Sequence, residues 1–124
     1  MSTADHPASG SGRILVFVGG LCGAAGVALS AAAAHLGGAF VGTVASFLLM
    51  HAPVFLAVGL VGAYRMLRTA SLILLVGLVL FCGDLLARDF LGSRLFSMLA
   101  PIGGTLLIAG WLAVAASALK RPRS

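Results

Sequence analysis

Charge is what this chain has least of. Of its 124 residues only 9% are charged, three acidic against eight basic, while 60% are hydrophobic and the mean hydropathy is +1.14. A soluble domain wets its surface with about 25% charged residues, so an ordinary water-soluble fold is excluded and lipid is the solvent that remains. Chemical motifs are missing as well. There is no HExxH, no GxSxG, no CxxC pair and no phosphate-cradling GxxxxGK[ST], so no catalytic set, metal site or cofactor is expected. The two cysteines, Cys22 and Cys82, fall inside apolar runs and read as reduced, small packing residues. None of this names a substrate.

What is present is four long uncharged runs. A bilayer core about 30 Å thick takes about 20 helical residues per crossing, and the runs cover about residues 14–34, 43–63, 70–90 and 98–119. The fold class expected is an all-α integral membrane protein, a compact antiparallel bundle of four transmembrane helices joined by short loops. Residues 1–12 (MSTADHPASGSG) read as a flexible polar tail, 13–119 as the transmembrane domain and 120–124 as a basic tail. The first run has a rival reading as a signal peptide cleaved near Ala31–Ala34. About 16 apolar residues precede those alanines, however, against the usual 7 to 15 or so, and a retained helix is expected.

The basic residues flank the runs rather than cluster, which argues for topological anchors and against a nucleic-acid surface. Arg13, Arg65, Arg68, Lys120, Arg121 and Arg123 fall on one side of the bilayer and Arg88 and Arg94 on the other. Six against two predicts that both termini are cytoplasmic. The lipid bilayer is the partner expected, and the Lys120, Arg121, Arg123 tail offers a patch for anionic headgroups.

Helices in lipid associate by close backbone approach, so small residues should form stripes. Gly19, Gly23, Gly26, Ser30 and Ala33 recur on one face of the first helix; Gly103, Gly110 and Ser117 do so on the fourth, with Gly104 adjacent, and the second contributes Ala52, Gly59 and Ala63. Internal packing accounts for these stripes, with a homodimer face as the alternative for the first. Pro101 suits a helix start. Pro53, inside the second helix, removes a backbone donor and is expected to bend it near His51.

Titratable groups inside a span are costly and usually face the bundle interior. On the register above, His35 lies at the outer end of the first helix, His51 about 12 Å in from the outer end of the second, Asp84 about 9 Å from that of the third, and Arg88 one turn further out. Asp84 and Arg88 are four apart with the acid first, so they can pair. One reading is a structural clamp. The other is a titratable or ligand-binding site built from His51 and Asp84 against the start of the fourth helix. Trp111 reads as a packing residue rather than an interfacial anchor.

A family resemblance follows from four segments taken in order. Pro101–Leu112 (PIGGTLLIAGWL) resembles the P-x-G-G…G-W segment of the small membrane proteins known as domain of unknown function 423, or YgdD-like. Ala34-His35-Leu36 is similar to that family's A-H-x-L, His51-Ala52 to the histidine of its Y-x-M-Y-H-A, and Phe81-Cys82-Gly83 to its F-S-G. Phe47, Leu48 and Met50 stand where the family commonly has tyrosine, glutamine and tyrosine; Pro53 is an addition, and Asp84 takes a position often held by serine. The resemblance implies a four-helix protein of the bacterial inner membrane and no particular activity. A non-enzymatic structural or partner-binding envelope module is the function expected, alone or with a second copy or a larger membrane protein. The alternative is one protomer of a small oligomeric proton-linked transporter or channel.

Overall fold

The computed structural model describes residues 10–62, 65–93 and 98–119. Residues 1–9 of the expected tail, Ala63 of the second stripe, and the expected anchors Arg94, Lys120, Arg121 and Arg123 lie outside the described residues. Among those described, four helices follow one another: α1 (Gly10–Leu36), α2 (Val41–Val61), α3 (Arg65–Phe90) and α4 (Leu99–Ser117). Each is long and apolar enough to cross a bilayer. In hydrocarbon no water satisfies a free N–H or C=O, so an uncharged run of this length closes its own backbone hydrogen bonds as a helix.

Three helices start earlier than the uncharged runs predict, α1 at Gly10, α2 at Val41 and α3 at Arg65. For α1 and α3 the reason is that an arginine need not end a span. Its aliphatic stem lies along the helix while the guanidinium reaches the interface, so Arg13, Arg65 and Arg68 are helical and exposed. Helix α2 continues through Pro53, whose ring is on the exposed side, and stops at Gly62 in the left-handed conformation (φ 67°).

The helices are arranged as two tight hairpins. α1 packs along α2 and α3 along α4, and a smaller contact between α2 and α3 joins the pairs; among the described residues no other two helices have backbones in close approach. The core lies mainly on this central pair, where Val44, Phe55, Leu74 and Leu78 are inaccessible or nearly so. Cys22 and Cys82 belong to the same core and are free thiols.

Close approach in each hairpin runs through glycine. A Cβ on Gly19 would lie 2.9 Å from the Leu56 side chain and 3.0 Å from the Ala52 carbonyl, and one on Gly26 2.7 Å from Leu49. Gly23, between them, has Ala52 at 3.9 Å. The first-helix stripe therefore faces α2. At the other crossing Gly103 and Gly77 oppose each other: a Cβ on Gly103 would come within 2.6 Å of the Phe81 nitrogen and 2.8 Å of the Gly77 carbonyl. A Cβ on Gly77 would reach the Gly103 carbonyl at 2.9 Å. Gly110 sits over Leu74 (2.7 Å), whereas Gly104 has only a Phe81 ring carbon at 3.9 Å. Several hydroxyls in the spans are satisfied locally, with Ser30 donating to the Gly26 carbonyl, Ser71 to that of Leu67 and Thr105 to that of Pro101.

Candidate functional site: a polar seam between α2, α3 and α4

Helix α2 carries His51 one turn after Phe47, with its side chain buried (1% exposed). The ring nitrogens have different partners. Nδ1 lies 2.7 Å from the Phe47 carbonyl oxygen, and the Trp111 indole Nε1 donates to Nε2 at 3.1 Å. An indole N–H only donates, so Nε2 must carry the lone pair. Nδ1 then holds the proton and donates to Phe47. This neutral tautomer uses both nitrogens and ties α4 to α2, two helices whose backbones are not in close approach. Phe47, Phe55 and Trp111 surround the imidazole with ring centroids 6.1, 6.5 and 5.6 Å away.

On α3, Asp84 is fully buried and Arg88 is 20% exposed. Both Arg88 Nε and Nη2 donate to the same carboxylate oxygen, at 3.2 and 2.8 Å. The guanidinium also stands 5.4 Å from the centre of the Phe40 ring, a cation–π distance. The next residue, Asp89, accepts the Phe40 backbone N–H at 2.8 Å, which fixes the start of α2 to the end of α3. Between α1 and α2, Gly37 and Gly38 take φ values of 77° and 108°, a region open chiefly to glycine. At Gly38 a Cβ would also press on the Asp89 carboxylate at 3.0 Å.

Beside this seam an open groove of about 1050 Å³ runs between α2, α3 and α4. Met50, Phe81, Ile108 and Leu112 make its walls apolar, His51 and Arg88 reach it, and Ala100, Pro101 and Gly104 form a low wall on α4. Of the four polar residues singled out in the sequence, His51 and Arg88 meet at the groove and Asp84 is held by Arg88. His35 is exposed in the last turn of α1 and does not line the groove.

Trp111, expected only to pack, is instead a hydrogen-bond donor to His51, and Asp89 and Gly77 carry no expectation from the sequence. Trp111 could have been found by depth: it lies about 18 Å into α4 and His51 about 15 Å into α2, so the single indole donor and the buried acceptor share a level. Asp89 is one of only three acids in the chain. Gly77 has no signal of its own in a Leu/Val-rich run. Replacing Trp111 by Phe is expected to leave buried Nε2 without a donor and cost about 1–3 kcal/mol, read as a lower midpoint when the protein is unfolded from mild detergent into a denaturing one.

A family model described as "Protein of unknown function (DUF423)" matches residues 22–104. The chain belongs to that family. The span matched by the DUF423 model includes His51, Asp84, Arg88 and Asp89 and ends before Trp111. The chain is also similar to the UPF0382 membrane protein of Haemophilus influenzae, 41% identical over 46 residues, which is 37% of this chain and 37% of that relative. No solved structure matches this DUF423 chain.

Proposed function

We propose that the protein is a non-enzymatic module of the cell membrane that receives a transmembrane helix of a larger membrane protein in the groove between α2, α3 and α4. The observation that carries this reading is that the polar groups beside the groove have partners within the chain, so what the groove offers laterally is mostly apolar wall. His51 has both nitrogens occupied, and the Arg88 guanidinium is held by Asp84. Gly104 supports it, since it is small and open toward the groove with no internal clash to explain its size. Small residues of this kind let a second helix approach. The alternative, a proton-linked oligomeric transporter, needs a group free to exchange protons; protonating His51 at Nε2 would break the Trp111 bond.

A photo-crosslinking residue at Met50 or Ile108 in native membranes tests the reading. One dominant foreign membrane protein is expected, lost on Gly104→Leu while the protein stays folded. Adducts only with copies of itself around a water-accessible centre favour the transporter instead. The same reading has both termini cytoplasmic, so reporter fusions after Leu119 and within residues 36–42 should report opposite sides, the first cytoplasmic. An external C-terminus overturns that orientation.

A further inference from the structure

Helices α1 and α3 both begin at the end of the molecule opposite the polar seam, and there they leave a crevice of about 300 Å³ between them. Ile14 and Leu15 form one wall, Leu72 and Leu75 the other, and Arg65 and Arg68 stand over it. On the far side of Ile14 a second hollow, between α1 and Leu60 of α2, is flanked by Arg13. All three arginines are exposed. Among the described residues, this end therefore presents arginines above and apolar walls below.

That layout matches an anionic lipid more closely than any soluble anion. A guanidinium fork donates to two phosphate oxygens, basic pockets between transmembrane helices suit anionic headgroups, and the leucine and isoleucine walls continue into the depth occupied by acyl chains. We propose that the crevice between the N-terminal ends of α1 and α3 binds an anionic glycerophospholipid. Its phosphate sits at Arg65 and Arg68, Arg13 closes the other side of Ile14, and an acyl chain lies along Ile14, Leu15, Leu72 and Leu75. A zwitterionic lipid brings its own amine to the phosphate and gains less from the arginines.

The test uses the full chain in mild detergent, titrated with phosphatidylglycerol or phosphatidylcholine and read by native mass spectrometry. Preferential retention of phosphatidylglycerol is expected. Arg65→Gln with Arg68→Gln should lower that retention by about tenfold or more, at about 1 kcal/mol per basic residue. Glutamines at Lys120, Arg121 and Arg123 should leave most of it in place. Equal retention of the two lipids, an unchanged Arg65/Arg68 variant, or displacement by millimolar inorganic phosphate overturns the proposal. Should the variant fail to accumulate, phosphatidylglycerol with a photoreactive acyl chain is bound to the parent protein. Adducts must then map to Ile14–Leu15 or Leu72–Leu75, and adducts elsewhere overturn it equally.

Discussion

Gly103→Ala is expected to destabilise the protein by about 3 kcal/mol, the upper end for an overpacked site. Alanine is normally a mild replacement in a helix, but here the added carbon meets backbone: the Phe81 nitrogen at 2.6 Å and the Gly77 carbonyl at 2.8 Å. Neither can turn aside as a side chain does, so α3 and α4 must separate. Gly110→Ala meets the Leu74 side chain first, at 2.7 Å, and should cost less because part of that contact can rotate away. Gly104→Ala, with its neighbour at 3.9 Å, should cost nothing measurable. Gly77→Ala removes the same close approach as Gly103→Ala, so the double variant should lose less than the two losses added together. Detergent-driven unfolding of the four single variants and the double checks the order. A Gly103→Ala protein as resistant as the parent would show that the crossing at Gly77 is looser than described.

The second large effect is expected at Asp84. Replacing it by Asn keeps size but removes the charge that receives two donors from Arg88, and breaking a buried pair from one side costs on the order of 3 kcal/mol. Combining Asp84→Asn with Arg88→Leu should recover much of that loss, because no uncompensated charge is then left in the bundle. The same unfolding titration reads both variants. If the double variant is no better than the single, the pair is not the source of the stability, and Asp84 acts through its other surroundings. Cellular fitness separates structure from activity: recovery of stability and of growth together marks a clamp, whereas stability restored without growth marks a site.

The number of helices was legible because bilayer thickness sets a minimum length and four uncharged runs meet it. The hairpin order was legible from the short connections. Glycines at three- and four-residue spacing announce a packing face on α1 and α4, since side chains at those intervals share one side of a helix. What they pack against is not encoded locally. Gly77 matters only because Gly103 lies across from it, and nothing within its own run of leucines and valines says so. The His51–Trp111 bond depends on how α4 is rotated relative to α2, two helices neither adjacent in sequence nor close at the backbone. Asp84 and Arg88 were legible as a pair because they occupy one helix, and His35 was placed at the right end but not beside the groove. The α1–α2 turn shows the same limit: its glycines signal a bend, while the Asp89 carboxylate that holds Phe40 comes from 49 residues away.

The pairing of α1 with α2 and of α3 with α4 also bears on how the chain is made. Contacts at Gly19, Gly26 and Gly59 all lie within the first pair, and those at Gly77, Gly103 and Gly110 within the second. The first pair can thus complete its tightest contacts while the second is still being synthesised, and entry into the bilayer can proceed two helices at a time. Asp84 and Arg88 then arrive on one strand of nascent chain already able to neutralise each other. The late step is the docking of the finished pairs, when Asp89 meets Phe40 and Trp111 reaches His51, so a defect there should yield inserted but unjoined halves rather than a chain left outside the membrane.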